Sequence, residues 1–142
     1  MATAEEKARQ NIDRKLRQCG WQVQEYRKMN ISAATGIAIR KFPLATGEAD
    51  YLLYVDGKAI GVIEARPEGH ALTGVRTQSA KYTDAMPVGL PYHRIPLPFA
   101  YESTGAETLF TNAHAPDARN KSVSTFHRPE ELRRLAGLEG QS

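Results

Sequence analysis

Two apolar runs, Tyr51 to Val55 and Ala59 to Ile63, stand either side of Asp56-Gly57 in the middle of the chain. Both are rich in β-branched or aromatic residues and carry no polar position, a pattern of strands covered on both faces rather than of a half-wet hairpin. Upstream the period changes. Ala4, Ala8, Ile12, Leu16 and Cys19 recur at helical spacing, while Lys7, Arg9, Arg14, Lys15 and Arg17 lie mostly off that stripe. This predicts an amphipathic helix over 4–19, ended by Gly20. Trp21, Val23 and Tyr26 anchor an extended segment, with Trp21 and Cys19 assigned to the core. A polar loop over 30–35 leads to a first strand over 36–44, in which Pro43 marks an edge or a bulge.

Downstream, Pro67-Glu68-Gly69 breaks the third strand, and residues 72–86 read as a second helix. Leu72, Val75, Ser79, Tyr82 and Met86 share one side of it. Gln78 and Tyr82, four apart, stack on that side and face the sheet. Pro87, Pro91, Pro96 and Pro98 then impose an extended, kinked crossing. Phe99 to Tyr101 and Thr108 to Thr111 are two short strands around Ser103-Thr104-Gly105. Residues 112–122 read as loop, and 129–135 as a short helix with Pro129 at its first position and two glutamates in its first turn. The tail from Gly137 frays. At 142 residues with no internal repeat, the whole reads as one domain.

Charges stand at the ends of the central runs, where a doubly covered sheet would exclude them: Asp50 before the first, Glu64 and Arg66 after the second. Side-chain parity decides whether they meet. A two-residue Asp56-Gly57 loop would set Asp50 against Ile63 and turn the two acids to opposite faces. A three-residue loop, Val55-Asp56-Gly57, would set Asp50 against Val62 and give Asp50, Glu64 and Arg66 one face, the carboxylates diagonal neighbours at roughly 7 Å. The sequence alone does not choose between them. We take the three-residue loop as the expectation because it gives both carboxylates a common partner. The bland reading is a pair of solvated strand-end charges.

Composition narrows the class. Hydrophobic residues make up 41% and charged residues 25%, ordinary for a soluble globular protein. A single cysteine excludes an internal disulfide framework and suits a reducing compartment. No apolar run approaches membrane-spanning length and the start lacks a signal-peptide core, so a cytoplasmic protein without a membrane partner is expected. The net charge of +3 is unevenly placed: residues 1–41 carry net +5, 42–69 net −3 and 70–142 net +1. An acidic centre beside a basic flank suits a metal site next to a phosphate-binding surface, although a solvated helix face explains the charge pattern as well. His70, His93, His114 and His127 are too scattered to read as a zinc site.

Two carboxylates on neighbouring strands followed by a cation form a recipe for metal-assisted phosphodiester hydrolysis. Asp50, Glu64-Ala65-Arg66 and Gln78-Ser79-Ala80-Lys81-Tyr82 resemble the PD-(D/E)xK nuclease pattern with a Q-x-x-x-Y extension. GEADYLLYVDGKAIGVIEA, EGHALTGVRTQSAKY, PLPFAYESTGAETLFTN, FHRPEEL and the opening ARQNIDRKLRQCGW are similar, in order, to the N-terminal region of type I restriction enzyme R subunits. The resemblance implies an α/β fold with a restriction-endonuclease-like core, a central mixed sheet flanked by helices. It implies Mg²⁺ held by Asp50, Glu64 and the Ala65 carbonyl, with Gln78 and Tyr82 supporting the site or touching DNA. Double-stranded DNA and the methyltransferase and specificity subunits are the implied partners.

Two departures from the family pattern stand out. Arg66 occupies the position of the family's catalytic lysine; it keeps the charge but is forked and effectively never deprotonates, so weakened or absent cleavage is expected. The chain also lacks a G-x-x-x-x-G-K-[ST] phosphate loop. The family's ATP-driven motor domains are therefore absent, and the chain is expected to be a fragment or a short gene product.

Overall fold

The two central runs become neighbouring strands buried on both sides. The computed structural model describes residues 3–44, 47–69, 72, 89–94, 97–113 and 121–137. Within these a seven-stranded sheet follows chain order: β1 (Gln22–Glu25), β2 (Gly36–Leu44), β3 (Gly47–Val55), β4 (Lys58–Ala65), β5 (Phe99–Ser103), β6 (Thr108–Asn112) and β7 (Lys121–Val123). β1–β2 and β4–β5 pair in parallel and the other neighbours are antiparallel, so the sheet is mixed. Helix α1 (Ala4–Gln18) and helix α2 (Pro129–Leu135) both pack on one face. There Ile12, Leu16 and Leu132 meet Tyr51, Leu53, Val55, Ile60 and Ile63. The other face buries Ile37, Ile39, Phe42, Leu52, Tyr54, Ala59 and Val62, with Met29, Ile31 and Ala34 against them. The double coverage read from the uninterrupted apolar runs is what the strands have.

The hairpin corrects the expected loop. Val55 pairs with Lys58, and Asp56 and Gly57 both take positive φ, 53° and 78°, as a two-residue type I′ turn requires. The three-residue loop does not form, nor does the Asp50–Val62 pairing. The missing residue enters further along. Tyr54 pairs with Ala59 but Leu53 pairs with Gly61, leaving Ile60 as an extra residue on β4. Aspartate tolerates the left-handed region well enough for the tight turn that matches strand twist, so the register change moves into the strand. It falls next to Gly61, where an added Cβ would come within 2.8 Å of the Phe99 carbonyl oxygen on β5. From the bulge on, Leu52 pairs with Val62 and Tyr51 with Ile63, where the pairing of β3 with β4 ends.

A second switch lies beside Asp50. Lys41 has φ 53°, and the pairing passes from Arg40↔Tyr51 to Phe42↔Ala49. Phe42 and Ala49 both join the second face, where strict alternation from Ile39 and Tyr51 would put them on the first. β1 pairs only as far as Arg40, so Pro43 sits where β2 is an edge on that side and needs no N–H there.

Elsewhere the periodic segments match closely. α1 begins at Thr3, whose hydroxyl accepts the Glu6 N–H, and ends at Gly20 with φ 91°. Trp21 is buried and its indole N–H donates to the His127 carbonyl at 2.8 Å. Cys19 is buried beside Thr125. β7, inside the expected 112–122 loop, and the 3-10 turn Tyr26–Lys28 are additions. The expected helix over 72–86, Leu72 apart, lies outside the described residues, and Gln78 and Tyr82 with it.

The close approach of β4 and β5 predicts that Gly61→Ala lowers stability by about 1–3 kcal/mol, as overpacking does in a filled core. Urea denaturation checks it. A midpoint equal to that of the wild type would show that the missing Cβ does not set the spacing of these strands.

Candidate functional site

Asp50 stands where β3 changes face, and its carboxylate turns toward the backbone of β4. Oδ2 accepts the N–H of Ala65 at 2.8 Å, beside Glu64. Oδ1 lies 3.8 Å from the Arg9 guanidinium on α1. Burial pushes the carboxyl above its usual range; the Ala65 N–H and Arg9 oppose that shift, and Glu5 and Glu48 add to it.

The neighbouring Tyr51 anchors the same helix. It is fully buried beneath α1, donates to Asp13 Oδ1 at 2.5 Å and lies 3.1 Å from the Arg9 carbonyl. Burial first, then the bond to Asp13, raises its phenol far above the ordinary value. The turn of α1 carrying Arg9 and Asp13 is thereby held over the end of β3 that carries Asp50.

Glu64 is 7% exposed. Its flanking residues Ile63 and Ala65 belong to the helix-covered layer, so strand alternation turns Glu64 to the opposite face. On the parallel strand β5 its register partner is Glu102, which is 2% exposed. Arg66 ends the arrangement. Its backbone N–H donates to the Ser103 carbonyl at 2.8 Å. Its guanidinium reaches Glu64 Oε1 at 3.0 Å through Nη2 and stands 3.6 Å from Glu102 Oε2 through Nε. Burial lifts the Glu102 carboxyl above its usual range, Arg66 pulls against it, and Glu64 adds to the lift.

The structure therefore brings the Asp50 carboxylate to the residue adjoining Glu64, and Arg66 onto Glu64. Glu102 was not anticipated. The signal for it was a charge directly after the apolar run Phe99-Ala100-Tyr101, but linear spacing does not reveal a parallel pairing across more than thirty intervening residues. Among the described residues no three His, Cys, Asp or Glu side chains form a group set to hold an ion. The His93 backbone N–H bonds the Ala59 carbonyl, and His127 Nδ1 meets the Tyr101 hydroxyl at 2.7 Å.

A basic surface adjoins the site. Arg9, Gln10, Arg40 and Lys41, with Glu6, line a hollow of about 240 Å³. Arg27, Lys28, Arg40 and Lys41 contribute to a larger open groove of about 560 Å³ along β2, which Tyr26 and two glutamates also border. Arg40 is partly committed, to Glu25 at 2.9 Å and Asp13 at 3.7 Å.

A mixed sheet whose central antiparallel pair carries an acid on one strand and an acid-x-base on the next defines an α/β protein with a restriction-endonuclease-like core. No family model matches the chain. Over 97% of its length it is similar, at 27% identity across 189 aligned residues, to the type I restriction enzyme EcoKI endonuclease subunit of Escherichia coli strain K12. It spans 16% of that subunit. A solved fragment from Vibrio vulnificus YJ016, assigned to an HsdR subunit of a type I restriction enzyme, shares the fold with a TM-score of 0.69 and 23% identity, over 99% of this chain and 27% of that one. Over nearly its whole length the chain is thus similar to part of a type I restriction enzyme endonuclease subunit. No helix among the described residues is long and apolar enough to cross a membrane.

If the Tyr51 hydroxyl holds α1 over Asp50, Tyr51→Phe leaves the buried Asp13 without its donor and costs about 1–3 kcal/mol. Chemical denaturation followed by tryptophan fluorescence measures this. An unchanged midpoint would show that Asp13 finds an equivalent donor elsewhere.

Proposed function

We propose that this chain is the nuclease domain of a type I restriction R subunit, hydrolysing phosphodiester bonds of double-stranded DNA with Mg²⁺, and that Arg66 weakens its cutting. The observation that carries the reading is the Asp50 carboxylate fixed on the Ala65 amide next to Glu64. It supports a cation site at the end of the central hairpin. The donor chemistry fits Mg²⁺, which is commonly held by one or two carboxylates and keeps several waters. Two buried acids, Glu64 and Glu102, both stand beside the guanidinium of Arg66 there. Asp50, Glu64 and the Ala65 carbonyl would hold the ion, which when bound supplies a polarised phosphate and a more acidic water.

The chain's own groups have distinct parts in this reading. Asp50 is oriented by the Ala65 N–H and by Arg9. Arg66 offers a permanent charge to a developing phosphate anion but cannot take or give a proton near neutral pH. Gln78 and Tyr82 support the site or touch DNA. The basic hollow around Arg9 and Lys41 and the groove along β2 are suited to the phosphate backbone rather than to base edges. Sequence choice then falls to a specificity subunit, with a methyltransferase subunit as a further partner and ATP acting only through motor domains outside this chain.

A second reading, a non-catalytic DNA-binding or subunit-docking module of the same fold, draws support from Arg66 itself. Its guanidinium already pairs with Glu64 Oε1 and stands beside Glu102, as a compact lysine ammonium would not do in the same way. Nicking of supercoiled duplex DNA in Mg²⁺ separates the two. Arg66→Lys is expected to cut at least about tenfold faster than the wild type, about 1.4 kcal/mol of barrier, and Asp50→Ala is expected to be inert. Equal cutting by wild type and Arg66→Lys would contradict the part given to Arg66. Cutting that survives Asp50→Ala would overturn the nuclease site.

A further inference from the structure

Tyr26 is 41% exposed, although its ring stands edge to face with the buried Phe42, centroids 5.1 Å apart. A single exposed aromatic needs no explanation, but its setting here does. Tyr26 borders the open groove of about 560 Å³ along β2, together with Arg27, Lys28, Arg40 and Lys41. A hollow of that size is large enough to seat a small organic group. The turn that carries the ring is also fixed. The Gln24 side-chain amide bonds the backbone of Asn30 twice, accepting its N–H at 2.7 Å and donating to its carbonyl at 3.0 Å, and so closes the segment that holds Tyr26–Lys28. A ring ordered beforehand loses little freedom when a ligand lands on it.

The charges around the ring select the ligand. Four cations and two glutamates leave the groove net +2. Arg40 is paired with Glu25 at 2.9 Å, whereas Arg27, Lys28 and Lys41 are exposed beside the ring. Arg40 and Lys41 are consecutive, and regular alternation would turn them to opposite faces of β2; with Lys41 at φ 53° both line the groove. An aromatic ring among exposed cations matches a single nucleic-acid strand, whose bases stack while its phosphates meet the charges. A duplex hides its base faces, so it would use the cations and leave Tyr26 idle. The groove also shares Arg40 and Lys41 with the smaller hollow around Arg9, and Arg9 stands 3.8 Å from Asp50. The basic track therefore leads from Tyr26 to the corner that carries the candidate site.

We propose that Tyr26 is a stacking platform for a base of an unpaired DNA strand, whose phosphates lie on Arg27, Lys28 and Lys41. The inference rests on the DNA-binding part of the reading above and deepens it, from the duplex backbone to a locally opened strand. It makes no use of the cation site.

Fluorescence anisotropy with a labelled oligothymidylate, an abasic strand of the same length and a duplex tests this on the whole chain in EDTA, with thermal unfolding run on every variant. The wild type is expected to bind the oligothymidylate more tightly than the abasic strand. Tyr26→Ala is expected to lose about 5- to 150-fold in affinity for the oligothymidylate, the range that one stacked base supplies. Tyr26→Phe keeps the ring and is expected to bind as the wild type does. Lys28→Gln is expected to flatten the salt dependence by about 0.7 in log–log slope, one phosphate contact on a single strand, which Tyr26→Ala leaves unchanged. Equal affinity of the wild type for the oligothymidylate and the abasic strand overturns the inference, as does a folded Tyr26→Ala that binds like the wild type; duplex binding then leaves the DNA reading standing. Should Tyr26→Ala fail to fold, the abasic comparison decides without it. A wild-type chain that binds none of the three overturns both.

Discussion

The hydrogen bond from the Ala65 N–H to the Asp50 carboxylate, 2.8 Å long, is the contact on which the candidate site depends. It places an acid side chain where a strand carbonyl would ordinarily continue the ladder. It closes the end of the β3–β4 pair, satisfies a backbone donor in a buried strand and fixes Asp50 next to Glu64. Two local irregularities make it reachable. The extra residue at Ile60 shifts the register of β4 on the way to Ala65, and the left-handed Lys41 lets β2 and β3 change face beside Asp50. Neither irregularity is needed for a stable sheet, and bulges of this kind commonly re-aim side chains near functional sites.

The remainder of the fold can be understood as support for that corner. Tyr51 and Asp13 seat α1 on the sheet, and the same helix turn brings Arg9 to Asp50. Gly61 lets β5 approach β4 closely enough for Glu102 to stand beside Glu64. Charge is thus gathered at one end of a sheet whose central strands are otherwise mostly apolar on both faces. A protein selected for stability alone would have little reason to concentrate acids there, since desolvation of each carboxylate opposes folding.

Much of this could be read from the residues. The uninterrupted runs gave the central strands and their double coverage, helical spacing gave α1, and Pro129 with the two glutamates after it gave α2, because these signals are local. The candidate acids were legible as charges in the wrong place. The register was not. Asp56 and Gly57 fit both a two-residue and a three-residue turn, and the choice depended on where an extra residue could be absorbed, at Gly61, beside a strand far away in sequence. The common face expected for Asp50 and Glu64 rested on that loop; the Asp50 carboxylate instead meets the Ala65 amide and Arg9, while Glu64 meets Arg66. Glu102 and β7 were missed for a related reason: parallel pairing and short edge strands leave no periodic trace in the chain.

The central claim is that Asp50 and Glu64 serve one divalent cation at the end of the β3–β4 hairpin. Anomalous scattering from crystals of this chain soaked in Mn²⁺ tests it most directly. The account predicts a manganese peak within bonding distance of the Asp50 and Glu64 carboxylates and the Ala65 carbonyl. A well-diffracting soaked crystal with no peak there, or with manganese bound only at other acids, would contradict it.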